Sequence, residues 1–172
     1  MKKFSMSRTA AALGSGIFFL VAPCVVAGGI PWWITHWEIR PPFLGLEVLR
    51  VIGAALIFLG AVGLIDSFVR FASEGLGTPA PVAPPKRLVV HGAYQYVRNP
   101  MYVAILAAIL GQALLFADLR LMIYGTIVWL AFHILVVAYE EPWLKKTFGA
   151  QYQTYQTCVP RWIPQLKPWR GA

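Results

Sequence analysis

The sequence predicts an all-α protein, a polytopic membrane helical bundle with about four transmembrane helices and a cytoplasmic C-terminal helical tail. Of its 172 residues, 58% are hydrophobic and 13% are charged, and the mean hydropathy is +0.62. This composition leaves too little polar surface for a soluble domain of the same size. The apolar residues also fall into long runs, and roughly twenty such residues cross a bilayer as a helix.

The runs predict one integral membrane domain covering residues 1–172, with a polar loop at 73–100 and a cytoplasmic tail at 142–172. Lys2 and Lys3 precede the first run, as in a secretory signal, but that run is longer than a signal core and favours a retained span. Pro23 predicts a kink within it. Glycines in the second run, at 53, 60 and 63, predict close approach to another helix. The predicted spans are 9–30, 44–71, 101–117 and 121–139.

The distribution of Lys and Arg predicts the orientation. Arg40, Arg50 and Arg120 would face one side of the membrane, and the other cations would share the opposite, cytoplasmic side. We therefore expect an integral inner (cytoplasmic) membrane protein with both termini in the cytoplasm. The net charge of +8 is spread along the flanks of the spans, so no nucleic-acid partner is predicted.

Two polar segments interrupt the apolar pattern at the predicted cytoplasmic face. The first is LVVHGAYQYVRNPMY, residues 88–102, and the second is the pair Glu140–Glu141. Carboxylates are unfavourable at a helix C-terminus, so the pair predicts a compensating cation, either Arg98 or a cationic cofactor. We expect the two segments to form one site. The alternative is a polar loop and a helix end that are merely solvated at the membrane surface.

The remaining polar residues predict structural roles. Asp66 and Arg70 have the spacing of an ion pair on one helix face, and His133 is typical of a hydrogen-bonded interior histidine. Cys24 and Cys158 are expected to be unpaired. The sequence contains no CxxC, HExxH, P-loop or GxGxxG pattern, so no metal site is predicted.

The stretch from GTPAP, residues 77–81, through LVVHGAYQYVRNPMY resembles the membrane methyltransferase family that includes isoprenylcysteine carboxyl methyltransferases and phospholipid N-methyltransferases. EEPWLKKTFGAQYQTYQTCVPRWIP, residues 140–164, resembles the closing signature of the same family. The two ordered motifs cover most of the chain after Gly77. The resemblance implies S-adenosylmethionine as the cofactor, bound in a cytoplasm-facing pocket of a small helical bundle.

The resemblance also implies roles for individual residues. Apolar and aromatic side chains would sandwich the adenine, and the helix N-terminus near Met101 would bind the cofactor's carboxylate. Glu140 would accept a hydrogen bond from its ribose or amino group. Independently of the resemblance, Arg98 and Glu141 are the candidate catalytic residues, and either would manage the proton or charge of an amine or thiol acceptor. The implied cofactor-binding residues are Arg87, Leu88, Val89, Tyr94, Asn99, Pro100, Met101, Tyr102 and Glu140.

Two positions depart from the family pattern. Asn99 stands where the family's commonest form has histidine, and it cannot titrate near neutrality. Val136 stands where prenylcysteine-type members carry an arginine that meets the substrate carboxylate. We therefore expect a lipid-like or small hydrophobic methyl acceptor other than the carboxylate of a prenylated protein. The rival functions are an NADPH-dependent membrane reductase of the sterol-reductase type and a non-enzymatic membrane scaffold.

Overall fold

All regular secondary structure in residues 21, 23–74 and 87–171, the part of the chain that the computed structural model describes, is helical. Short 3₁₀ turns at Phe43–Gly45 and Gly92–Gln95 lie in the connections, and a π-helical turn at Val136–Glu140 joins the last two helices. The helices are α1 (Val25–Thr35), α2 (Val48–Glu74), α3 (Pro100–Phe116), α4 (Leu119–Leu135) and α5 (Glu141–Cys158).

Two helical segments are long and apolar enough to cross a membrane. One is α2, and the other is the continuous helix Leu119–Cys158, which consists of α4, the π turn and α5. In the most apolar 18 residues of each, only 11% are buried within the chain, whereas the core helix of a soluble protein would be largely buried. Phe58, Ile65 and Ile127 are 67%, 64% and 59% exposed. Apolar surface on this scale fits a membrane helical bundle. Helices α1 and α3 are shorter apolar helices.

Glycines allow α2 and α3 to pack at backbone contact distance. A Cβ atom added to Gly53 would lie 2.6 Å from the carbonyl oxygen of Gly111, and one added to Gly60 would lie 2.7 Å from that of Ala104. At Gly63 the nearest atom would be 3.6 Å away, an ordinary contact. The predicted close approach is therefore confirmed, and Gly53 and Gly60 are the positions that require it.

The helix boundaries differ from the predicted ones in three places. Helix α2 begins at Val48 rather than at residue 44, because Leu44 and Gly45 have positive φ angles within a 3₁₀ turn. Helix α1 continues past residue 30 to Thr35. The helix predicted to end at residue 139 continues to Cys158, since the wider π turn accommodates Pro142, which has no N–H to donate. Most of the predicted span 9–30 lies outside the described residues.

The two ends of the bundle carry separate polar clusters. At one end Asp118, between α3 and α4, is 1% exposed and pairs with Arg120 at 2.7 Å and Arg40 at 3.3 Å. The hydrogen bonds from Arg120, with the charges of both arginines, hold the pKa of Asp118 below its ordinary value despite its burial. The opposite end holds both polar segments identified in the sequence. Cys24 and Cys158 are both free, as predicted.

Candidate functional site

The two polar segments meet where α3 begins and α4 passes into α5. The hydroxyl of Tyr102 donates a hydrogen bond to Oε1 of Glu140. The ring of Tyr102 also stacks on Phe132 of α4, with 4.4 Å between the ring centroids and 28° between the planes. Pro100 occupies the first turn of α3, where its missing N–H costs nothing, and so fixes the start of the helix that carries Tyr102.

Glu141 is the centre of a buried ionic cluster. It accepts a hydrogen bond from Nη1 of Arg98 at 2.9 Å, and Arg161 binds both of its oxygens, with Nε at 2.6 Å and Nη2 at 3.0 Å. Gln156 donates to Oε2 at 3.1 Å. The Arg98 and Glu141 side chains are only 8% and 7% exposed. The compensating cation predicted for the acidic pair is therefore present as Arg98, and Arg161 is a second one. Hydrogen bonding to Glu141 raises the pKa of Arg161.

The C-terminal segment, residues 159–169, lies along the loop that precedes α3. Backbone and side-chain hydrogen bonds connect the segment to the loop at several points. They are too irregular to make the two a pair of β-strands. The bonds are Arg98 N to Pro160 O at 2.9 Å, Asn99 Nδ2 to Arg161 O at 3.1 Å, Gln165 N to Tyr96 O at 3.0 Å and Trp169 N to Gln95 O at 3.0 Å.

A small hydrophobic cluster fixes the same loop to α5. Tyr152, Tyr155 and Val159 are each at most 2% exposed, and Leu88 and Val90 pack against them. The hydroxyl of Tyr155 donates to the carbonyl oxygen of Tyr94 at 2.7 Å. A buried hydroxyl needs such a partner, so this bond defines where the loop crosses α5.

Helix α2 anchors the other side of the loop. The predicted pair between Asp66 and Arg70 is confirmed, with 2.9 Å between Oδ1 and Nε. The second oxygen of Asp66 accepts the backbone N–H of Ala93 at 3.3 Å. Gly92 has a φ of +61°, and a Cβ atom there would lie 1.8 Å from Nε of Arg70. Glycine is therefore favoured at position 92 by its φ angle, and a side chain there would displace the Arg70 guanidinium.

The start of α3 has the properties of an anion-binding site. Asn99 occupies the N-cap position but makes no side-chain cap hydrogen bond, and its Nδ2 donates to the carbonyl oxygen of Arg161. The first backbone N–H groups of a helix have no intrahelical partner and attract anions. Close by in the chain, Nε of Arg98 is buried and has no hydrogen-bond partner among the described residues.

His133 makes the hydrogen bond expected of an interior histidine. Nε1 of Trp162, in the C-terminal segment, donates to Nδ1 of His133 at 3.2 Å. No group of three or more His, Cys, Asp or Glu side chains that could hold a metal ion occurs within the described residues.

The predicted site residues fall into four groups. Arg98, Asn99, Tyr102, Glu140 and Glu141 are linked directly or through Arg161. Leu88, Val89 and Tyr94 lie in the packed loop, and Pro100 and Met101 form the first turn of α3. Arg87 is exposed at the edge of the described loop.

Sequence reasoning missed the partners supplied by the chain's end and by the interior of α4. Arg161 stood within the closing motif, but its spacing from Glu141 gave no reason to pair the two. The missed residues are Phe132, Tyr152, Gln156, Arg161 and Trp162.

The fold and the site define a small helical membrane protein with a buried ionic cluster at one end of its bundle. The family model described as phospholipid methyltransferase matches residues 48–151, which include the start of α3 and the acidic pair. The chain belongs to this family, and the family resemblance of its motifs is confirmed.

Two relatives from Arabidopsis thaliana align over most of the chain. Protein-S-isoprenylcysteine O-methyltransferase B is 30% identical over 134 residues, and protein-S-isoprenylcysteine O-methyltransferase A is 33% identical over 134 residues. Each alignment covers 77% of this chain and 60% of the relative. Protein-S-isoprenylcysteine O-methyltransferase from Schizosaccharomyces pombe is 33% identical over 80 residues, which is 46% of this chain and 34% of the relative. The chain thus spans about 60% of the length of the plant relatives.

Proposed function

We propose that the chain transfers a methyl group from S-adenosylmethionine to a lipid-like or small hydrophobic acceptor at the cytoplasmic face of the membrane. Family membership supports the reaction class. The contact between Tyr102 and Glu140 carries the proposal, because it joins the two motifs that the resemblance assigns to the cofactor.

The residues present fit such a cofactor. The uncapped first turn of α3 and the unpartnered Nε of Arg98 suit its carboxylate. Glu140 and Tyr102 offer an acceptor and a hydroxyl to polar groups, and Leu88, Val89 and Tyr94 offer apolar surface to the adenine. Bound there, S-adenosylmethionine would supply an electrophilic methyl group attached to a sulfonium.

The chain's own contribution to methyl transfer is positioning and exclusion of water. Glu141 already accepts hydrogen bonds from Arg98, Arg161 and Gln156. A carboxylate so fully engaged is poorly placed to take a proton from an acceptor. We therefore assign Arg98 and Glu141 to holding the start of α3 against the C-terminal segment, while Tyr102 and Glu140 face the reactants.

The proposal includes a membrane arrangement: one domain of four spans, with both termini, the loop at 73–100 and the site at the cytoplasmic side of the inner membrane. Cys158, which is exposed at the end of α5, tests the orientation. A membrane-impermeant maleimide should label it in inverted vesicles and not in right-side-out vesicles, and Cys158→Ser should abolish that labelling. The reverse pattern would invert the topology.

The departure at position 136 bears on the acceptor. Val136 is 1% exposed, so it supplies neither a cation nor room for one. We propose that the acceptor is not the free carboxylate of a prenylated cysteine, although the relatives are named for that substrate. Transfer of radiolabelled methyl groups into a lipid extract rather than a protein fraction would support this assignment.

Ligand binding separates the proposal from its rivals. The purified protein in detergent should bind S-adenosylhomocysteine, with a measurable heat and a raised unfolding temperature, and should not bind NADPH. Binding of NADPH alone would identify a reductase. Absence of binding by both ligands to folded protein would leave the scaffold function.

A further inference from the structure

His133 interrupts the apolar surface of α4. Between Arg120 and Glu140 it is the one residue among His, Lys, Arg, Asp and Glu. It lies about two helical turns, or about 10 Å, before the acidic pair and is half-buried. An ionisable residue at such a position is costly in a membrane segment and so calls for a functional explanation.

The hydrogen bond from Trp162 determines which ring nitrogen of His133 carries the proton. An indole N–H can only donate, so Nδ1 must be the unprotonated acceptor, 3.2 Å away. The neutral imidazole is then protonated at Nε2, which becomes a donor. No hydrogen bond from Nε2 is found among the described residues. The rings of Trp129 and Trp162 lie on His133 with centroid distances of 5.5 and 6.1 Å, which holds the imidazole plane in place.

His133 and Trp162 also belong to a closed circuit of contacts around the site. Each step is either a side-chain contact or a bond between neighbours in the sequence. Glu140 contacts Tyr102, and Tyr102 stacks on Phe132, the residue before His133. His133 contacts Trp162, the residue after Arg161, and Arg161 binds Glu141, which follows Glu140. His133 thus directly follows Phe132, which packs on the Tyr102 ring, and it contacts Trp129, which is 38% exposed.

We propose that His133 recognises the methyl acceptor, donating a hydrogen bond from Nε2 to a phosphoryl or carbonyl oxygen of the acceptor's polar head. Trp162 is a positioning residue that fixes the required tautomer. His133 is separated from the acidic pair, where methyl transfer would occur. This separation suits an acceptor whose head group carries the methylated atom at one point and the hydrogen-bonded oxygen at another. This inference rests on the proposed function, because it assumes that methyl transfer occurs at the acidic pair.

Steady-state kinetics with two probes test the proposal. Phosphatidylethanolamine in mixed vesicles with phosphatidylglycerol presents a phosphodiester. N-acetyl-S-farnesylcysteine presents an amide carbonyl, and its methylation at the free carboxylate would contradict the proposed acceptor without contradicting the role of His133. With the probe that the wild type methylates, His133→Ala should raise the acceptor KM about tenfold, the loss expected for one hydrogen bond. The affinity for S-adenosylhomocysteine should not change. His133→Gln, which keeps an N–H, should recover much of the loss.

Trp162→Phe distinguishes recognition from a purely structural bond. If His133 only anchors Trp162, His133→Ala and Trp162→Phe will have the same effect on KM and on thermal unfolding. We expect the smaller effect on KM from Trp162→Phe, because the imidazole can still present Nε2–H. An unchanged acceptor KM in folded His133→Ala would overturn the proposal while leaving the methyltransferase activity intact.

Binding provides a readout that does not depend on turnover. With ¹⁵N-labelled histidine, NMR should show the Nε2–H tautomer for His133 in the wild type and a mixture of tautomers in Trp162→Phe. Titration with dihexanoylphosphatidylethanolamine or with N-acetyl-S-farnesylcysteine should move the Nε2 signal. If neither probe moves it, the proposal is wrong, whether or not methyl transfer is detected.

Discussion

The hydroxyl of Tyr102 donates a hydrogen bond to Glu140, although 38 residues separate the two in the chain. Tyr102 stands in the first turn of α3, and Glu140 ends the π turn between α4 and α5. This bond holds the N-terminus of α3 against the π turn that follows α4. The ligand-binding predictions for this family member depend on that juxtaposition.

Tyr102→Phe, Asn99→Ala and Glu140→Gln should each weaken binding of S-adenosylhomocysteine, by about tenfold for the loss of one hydrogen bond. Isothermal titration calorimetry in detergent measures the effect. Tyr139→Phe is the matched control, since Tyr139 is 54% exposed and makes no side-chain hydrogen bond or ring contact among the described residues. Unchanged affinity in all three variants would show that the cofactor does not bind at these residues.

Glu141→Gln should destabilise the protein by about 3 kcal/mol, because it leaves two arginines facing a neutral side chain in a buried cluster. Glu47→Gln is the control: Glu47 pairs with Arg50 at 3.2 Å, but its side chain is 70% exposed, and such pairs contribute about 1 kcal/mol or less. Thermal unfolding in detergent compares the two. Equal losses would show that the Glu141 cluster contributes no more than a surface pair.

Gly53→Ala should destabilise the protein by about 1–3 kcal/mol, since the new methyl group would meet backbone atoms of α3 and force α2 away from it. Gly63→Ala introduces the same methyl group on the same helix with no atom closer than 3.6 Å. It should be neutral or slightly stabilising, because alanine favours the helix. The prediction fails if the two variants unfold at the same temperature.

The pKa of Asp118 gives a pH dependence of defined sign. Its pKa is lowered in the folded protein, so its stabilising contribution is complete above the unfolded-state value, near 3.8, and is lost as pH falls from there through the folded pKa. The difference in unfolding temperature between the wild type and Asp118→Asn should therefore be constant from pH 7 to about pH 5 and shrink below that. A difference that already shrinks between pH 7 and pH 5 would contradict this account.

The helical class and the close approach of α2 and α3 were predictable, because hydropathy and glycine spacing depend only on local sequence. The helix end predicted at residue 139 was wrong for a physical reason. Pro142 and the acidic pair are ordinary termination signals, but a π turn changes the backbone pairing just before them. Nothing in residues 136–140 distinguishes such a turn from a regular one.

The site was predictable only in part. The meeting of Tyr102 with Glu140 and the pairing of Arg98 with the acidic pair followed from the motifs and from charge balance. The contribution of the C-terminal segment did not, because residues 159–169 have no helical or strand period that would indicate their path. Arg161 and Trp162 reach the site through tertiary contacts alone.

The order of the chain has a consequence for its synthesis. Arg161 and Trp162 follow every helix of the described structure, so they leave the ribosome after all of those helices. A nascent chain with its helices already inserted in the bilayer would still lack these two residues. The ionic cluster around Glu141 would therefore be completed only after Arg161 has emerged, and not gradually as the helices appear.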